Sequence, residues 1–349
     1  MRFTGESGAE WAYDENTRIG EKSGFGEVFG GADPTGRPVA VKRVRLPWGN
    51  EAERRRRERE VDIGKVIAGS TPSHLVRTLD VGRLGDDLLI VMPRAEGSLR
   101  SAMNSGLSQS EGLEALQHVV SGLIEMAALS VLYRDLKPEN VLRLDGRWQL
   151  ADFGIARNLM HATATYTFRG AGTAPYMAPE VWNNQPATVQ ADLYALGVVA
   201  YEVLTGARPF EGDEPALRDQ HLHVAPIAPT ALPPAVGRLI LRLLSKNPAD
   251  RPQDARAVNE ALEAALKTLN PGQKSLQQAA LAAQQRRVTT EAEHALDAST
   301  AQSAEARVRQ ALSELGEILA QASDQVQEAL PDAEFREDGA QWHLMRKTS

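Results

Sequence analysis

The stretch on which the reading turns is YRDLKPEN, Tyr133-Arg134-Asp135-Leu136-Lys137-Pro138-Glu139-Asn140. It sets carboxylates, cations and an amide side by side. Taken alone it admits a bland reading, a capped turn between a helix and a strand, because Asp and Asn bond nearby backbone in turns. The residues that follow argue for more. Val141 to Leu150 reads as a hairpin, Asp152-Phe153-Gly154 comes directly after it, and Ala178-Pro179-Glu180 comes third. Each motif is weak by itself; the three in this order are specific.

Working outward, composition removes several classes of function. The chain has 349 residues, 42% hydrophobic and 24% charged, as in soluble globular proteins. It has no cysteine, hence no disulfide, thiolate metal site or thiol nucleophile. The first residues, MRFTGESGAEW, lack the apolar core of a signal peptide. The longest apolar run, Leu193 to Leu204, contains Glu202 and is too short to span a bilayer. A net charge of −7 argues against general nucleic-acid binding. The basic run Arg54 to Arg57 is interleaved with Glu51, Glu53, Glu58 and Glu60 and reads as a solvated helix face.

Upstream lies IGEKSGFGEV, Ile19 to Val28, with three glycines in seven residues. Such a stretch is either a phosphate-covering loop or a flexible turn. The turn chemistry of Asp33-Pro34-Thr35-Gly36 and the strand around Val39, Val41 and Val44 place it in a strand–turn–strand unit. A dinucleotide-binding turn would have to open a helix, and a P-loop would need a Gly-Lys-Ser/Thr that is absent. What remains is a glycine hairpin followed by a strand reading Val39-Ala40-Val41-Lys42.

With these motifs assembled, the chain resembles the eukaryotic-like Ser/Thr protein kinases also found in bacteria, over about residues 13 to 267. The resemblance implies an α+β, bilobal protein-kinase fold: a small β-rich N-lobe over about 13–92 and a larger helical C-lobe over about 96–267, after an N-terminal extension at 1–12. It implies ATP- and Mg²⁺-dependent transfer of the γ-phosphate to Ser/Thr hydroxyls of protein substrates, in the cytoplasm. Asp135 would orient the substrate hydroxyl and accept its proton, and Lys137 would offset charge at the γ-phosphate. Asn140 and Asp152 would hold Mg²⁺ through hard oxygen ligands. Lys42 would meet the α- and β-phosphates, held by Glu60 from the helical stretch after it, with Glu58 as fallback. Ile19, Gly20, Gly24, Phe25, Gly26 and Val28 would cover ATP, in a loop one residue longer than the family pattern. Ala40, Met92 as gatekeeper, and the backbone of Pro93 and Ala95 would surround adenine. Asp192 would brace the catalytic loop and Arg251 would pair with Glu180. Thr173 would line the substrate groove, and Arg134 would clamp a loop phosphorylated at Thr165 or Thr167. Tyr133 stands where this family usually has histidine. The competing reading is a catalytically weak pseudokinase scaffold.

From Pro271 the chain becomes rich in Gln and Ala. Val308, Leu312, Leu315, Leu319, Ala322 and Val326 follow a 3,4 spacing, so 272–331 is expected to be helical. A coiled coil that recruits a second copy or a partner protein, and helices packed back on the kinase domain, both fit this pattern. The tail, 332–349, is a possible hairpin about Asp338-Gly339.

Overall fold

The computed structural model describes residues 1–23, 26–45, 72–152, 157–158, 174–267, 281–296, 308–310, 312–313, 333–338 and 341–346. The chain forms two compact units, 1–293 and 294–349.

The first unit begins with an antiparallel sheet. Its strands are β1 (Arg2–Thr4), β2 (Glu10–Ser23), β3 (Gly26–Ala32), β4 (Pro38–Arg45), β5 (Asp80–Leu84) and β6 (Asp87–Pro93), in the order β1-β2-β3-β4-β6-β5. The period-2 alternation of β4 sorts its side chains. Val39 and Val41 join Phe29, Leu89 and Val91 on one face, where Phe3, Trp11 and Tyr13 complete an apolar cluster. On the other face Lys42 stands opposite Val28 and Ile90, and Ala40 opposite Met92. Asp33 terminates β3, its carboxylate accepting from the N–H groups of Thr35 and Arg37 at 2.8 and 2.9 Å.

Residues 1–12, expected as an extension, belong to this sheet. β1 pairs with β2, and Gly5 then bridges to Gly82 in β5, with Glu6 N–H donating to the Val81 carbonyl at 2.7 Å. The sheet is thereby closed on itself. Buried Asp80 latches the seam, accepting from Ser7 N–H at 3.2 Å, the Ser7 hydroxyl and Trp11 Nε1 at 2.7 Å. Both bridge positions must be glycine: a Cβ on Gly5 would meet the Asp80 carboxylate, and one on Gly82 the Phe3 ring.

Below the sheet lie two short strands, Gly97–Ser98 (β7) and Val131–Leu132 (β8), the hairpin β9 (Val141–Leu144) and β10 (Arg147–Leu150), and then β11 (Arg157–Asn158). The hairpin turns on Asp145 and Gly146, both at positive φ, as a two-residue turn between right-twisted strands requires. The helices are α1 (Leu99–Asn104), α2 (Gln109–Ala128), α3 (Pro179–Trp182), α4 (Val189–Thr205), α5 (Glu214–His223), α6 (Pro234–Leu243) and α7 (Ala255–Lys267). A capping box between Ser108 and Glu111 starts α2. Thr188 caps α4, which ends at Gly206 in the left-handed conformation. α4 is apolar nearly all round, and Leu193, Tyr194, Leu196, Val198 and Val199 are buried in the main core. A small β lobe followed by a larger helical lobe is the bilobal α+β architecture expected.

An eighth helix, α8 at 281–296, carries Leu281, Val288 and Ala292 on a buried stripe. Of the two readings left open for 272–331, packing against the helical lobe holds for 281–293. In the second unit, residues 308–310 and 312–313 are helical, with Val308 and Leu312 exposed. There β12 (Ala333–Asp338) pairs antiparallel with β13 (Gln341–Arg346). Leu315, Leu319, Ala322 and Val326 lie outside the described residues.

Candidate active site

Lys42 and Asp152 join the two lobes. The alternation of β4 turns Lys42 inward, where it is 3% exposed and donates from Nζ to Asp152 Oδ1 at 2.6 Å. A desolvated ammonium is tolerated only with such a counter-charge. Asp152 follows β10 with φ +60°, a left-handed conformation that a non-glycine residue holds at a cost of order 1–3 kcal/mol.

The segment after β8 supplies the remaining chemistry. Asp135 is 1% exposed. Lys137 Nζ donates to its Oδ2 at 2.9 Å. Asn140, at the end of a 3-10 turn over Pro138–Asn140, donates from Nδ2 to the Asp135 carbonyl at 3.0 Å and to its Oδ2 at 2.8 Å. Asp192, in the first turn of α4, holds this segment from beneath. It accepts from the backbone N–H of Tyr133 at 2.9 Å and of Arg134 at 2.7 Å. Burial raises the Asp192 carboxyl to about 6 against these two bonds. The bonds fix Arg134 in a left-handed conformation, φ +69°. Tyr133 is fully buried, and its hydroxyl donates to the carbonyl of Ala151, the residue before Asp152, with the Asn140 carbonyl at 3.3 Å. Burial, followed by the charges of Asp135 and Asp152, lifts this phenol far above its ordinary range, so it remains a donor.

On the sheet side, β2 bulges where it pairs with β3. Ile19 pairs with Val28 and Ser23 with Gly26, so β2 spends two more residues than β3 over the same span. Gly20, at φ +73°, lies within it. Gly26 has φ +149°, and a Cβ there would come within 2.5 Å of the Arg43 carbonyl. Gly24 and Phe25 lie outside the described residues. Met92, half-buried at the end of β6, packs both on the cluster of Val44, Val81, Leu88 and Ile90 and on that of Val76, Leu144 and Ala151. Ala95 and Leu142 pack on that second cluster, and Pro93 pairs with Val39. Leu142 was not anticipated from the sequence. Glu60, Glu58, Thr165, Thr167 and Thr173 lie outside the described residues.

Farther from the cleft, Arg251 makes a two-pronged pair with Glu180, Nη1 to Oε1 at 2.7 Å and Nη2 to Oε2 at 2.9 Å. Both residues are buried. A second network escaped sequence reading. Arg100 of α1 donates to Glu139 at 2.7 Å, to Glu202 at 2.9 Å and to the Tyr176 hydroxyl at 2.6 Å. Burial opposes the Arg100 charge, and the two carboxylates outweigh it and hold the group protonated. Its signal was Glu202, the single charge inside the apolar run of α4.

Among the described residues, no helix is long and apolar enough to cross a membrane. The model of the protein kinase domain family matches residues 13–264. The probable serine/threonine-protein kinase pknA2 of Bifidobacterium longum is 35% identical over 255 residues, 69% of this chain and 33% of that protein. PrkC of Bacillus subtilis, a serine/threonine-protein kinase, is 34% identical over 245 residues, 66% of this chain and 36% of its own. PknL of Mycobacterium bovis, also named a serine/threonine-protein kinase, is 33% identical over 252 residues, 69% of this chain and 62% of its own. The chain spans about a third of the length of the first two.

Proposed function

Because the chain belongs to the protein kinase domain family, we propose that it transfers the γ-phosphate of ATP to Ser/Thr hydroxyls of protein substrates. The observation that carries this reading is one connected polar set. Lys42 holds Asp152, Tyr133 ties the Asn140 and Ala151 carbonyls together, and Asn140 and Lys137 both donate to Asp135.

The donors fit a hard cation and a nucleotide. Asp152 offers carboxylate oxygens. Both bonds from the Asn140 amide nitrogen go to Asp135, which leaves the amide oxygen as its acceptor. Among the described residues no three acidic or histidine side chains gather into a metal cage. This suits Mg²⁺, which keeps water and phosphate oxygens in its shell. Bound there, Mg²⁺ and ATP supply the transferable phosphoryl group and neutralise its charge.

The chain's own residues do the positioning. Asp135 accepts the proton of the incoming hydroxyl, with Lys137 and Asn140 fixing its carboxylate. Lys42 orients Asp152 and meets the phosphates. Tyr133 and Asp192 hold the loop from behind, so that little rearrangement is left for the reaction. Lys137 two residues after Asp135 favours Ser/Thr over tyrosine. The hydroxyl-rich segment between Gly154 and Ala178 is the natural place for autophosphorylation, at Thr165 or Thr167. A phosphate of about −1.5 to −2 charge there can pair with Arg134.

The test is phosphate incorporation from labelled ATP into a generic basic protein. Asp135→Asn is expected to reduce turnover about 10²–10⁴-fold, the usual worth of a positioned base. Equal incorporation by wild type and variant would return the chain to the scaffold reading. Mass spectrometry before and after phosphatase treatment locates the loop phosphates. A fully active enzyme with unmodified loop threonines rules out the switch alone.

A further inference from the structure

Helix α8 lies beyond the last residue matched by the family model, 264, yet its inner face is built into the helical lobe. Leu281 and Val288 are buried against Leu241 of α6, with Ala225 and Ala228 alongside. A Cβ placed on Gly237 of α6 would stand 3.2 Å from a Leu281 methyl, so α6 is bare where the helix crosses it. Gln285 Nε2 donates to the Pro226 carbonyl at 2.8 Å. Near its far end Ala292 is buried as well, and the covered Leu241 stands four residues before Ser245, close to the end of α6.

Lys246 and Asp250 belong to the loop that follows α6, and this loop holds Arg251. The Ser245 carbonyl accepts from Arg251 Nε at 2.9 Å and the Lys246 carbonyl from Nη2 at 3.2 Å. Lys246 Nζ in turn donates to the carbonyls of Gln220 and His221, at 3.0 and 2.7 Å. A continuous path therefore runs from the Leu281–Val288–Leu241 contact, along the end of α6 into the 245–251 loop, and through Arg251 to Glu180 in α3.

We propose that 281–293 is a strap belonging to the catalytic unit, and that its seating on α6 holds the 245–251 loop and, through Arg251, the Glu180 anchor of the segment leading into α3. That this anchor serves a protein substrate rests on the function proposed above; the seating itself does not. Burial and the nearby Asp250 raise the Glu291 carboxyl, as expected of a group pressed into the interface. Coupling along such a path is established by a response at the far end rather than by proximity.

Hydrogen exchange on the full chain measures that response without any catalysis, so failure here and failure of the kinase reading are separable. Val288→Asp puts a charge under the strap, and Val308→Asp, at an exposed position in the second unit, is the control. In Val288→Asp, exchange is expected to accelerate at least tenfold at 281–293, 245–251 and 179–182, with α4 still protected and the control unchanged. Acceleration confined to 281–293 overturns the proposal. If Val288→Asp unfolds the whole lobe, a second variant decides. The chain has no native cysteine, so Gly237→Cys/Leu281→Cys carries two unique thiols. Mild oxidation is expected to join them as a disulfide, since a Cβ on Gly237 stands 3.2 Å from the Leu281 side chain, and to slow exchange at 245–251. No cross-link, or a cross-link that leaves 245–251 unchanged, overturns the proposal.

Discussion

Tyr133 shows how one side chain can replace another without loss of the framework. Its hydroxyl ties the catalytic loop to the residue before Asp152, and its ring fills a site with no solvent access. Tyr133→Phe keeps the ring and leaves the Ala151 carbonyl without this donor, an expected cost of about 1–3 kcal/mol. Urea unfolding monitors the loss, and turnover is expected to fall with it; unchanged values in both would show that the bond carries nothing. The Glu180–Arg251 pair is the stricter case. Removing one partner leaves a buried charge, so Glu180→Gln is expected to destabilise by about 3–5 kcal/mol. Replacing both as Glu180→Gln/Arg251→Met is expected to recover only part, because the carbonyls of Gln190, Ser245 and Lys246 also lose their donor. Full recovery would mean that the ion pair alone matters. At this scale the sequence was legible where residues stand in ordered motifs: Arg251 pairs with Glu180, and Asp192 holds the backbone of Tyr133 and Arg134, as expected. It was silent on Arg100, because nothing in a chain reports that α1 and α4 place their charges together.

The glycine hairpin is where spacing in the sequence and pairing in the sheet had to be reconciled. Read as letters, the loop is a nucleotide clamp one residue longer than the family pattern, a departure that bears on ATP affinity rather than on the fold. In the sheet, β2 bulges between Ile19 and Ser23 and spends two more residues than the facing span of β3, with Gly20 in a left-handed backbone. Gly20→Ala meets no atom within 4 Å but must hold φ +73°, and is expected to cost about 1 kcal/mol locally. The readout is KM for ATP, expected to rise several-fold with kcat nearly unchanged. An unaltered KM would show that the bulge does not shape the proposed nucleotide site. Strands and helices with strong local signals, such as β4, the β9–β10 hairpin and α4, were readable before the fold. β1 was not. Arg2–Thr4 is too short to show alternation, and while it pairs with β2, the residue after it, Gly5, bridges to Gly82 of β5, some 80 residues away along the chain. α8 was expected as a helix, but the two faces its sequence offers do not say which one is covered.

For the molecule as a whole, the helical lobe carries a built-in sensitivity to acid. His221 is fully buried, its Nδ1 facing the Tyr194 hydroxyl at 2.9 Å. Burial, with the Lys246 and Arg208 charges nearby, lowers it to about 3. The unfolded chain takes up this proton near pH 6.5 and the folded protein does not, so stability present above 6.5 is lost as pH falls toward 3. The slope is at most about 1.4 kcal/mol per pH unit for one proton. Denaturation midpoints at pH 7.5, 6 and 5 are expected to fall more steeply in wild type than in His221→Gln, and parallel curves would reject the assignment. The bilobal plan was legible because the three motifs fall in order along the chain; the closure of the small lobe was not. That closure has a consequence of its own. An open sheet offers a row of unpaired amides and carbonyls to which a foreign strand can be added. Here Gly5 and Glu6 already occupy the β5 side of that row, where the first strand meets the last. A regulator that grips the small lobe by donating a strand meets the chain's own backbone at Val81 and Gly82, and must displace Gly5 and Glu6 to pair there.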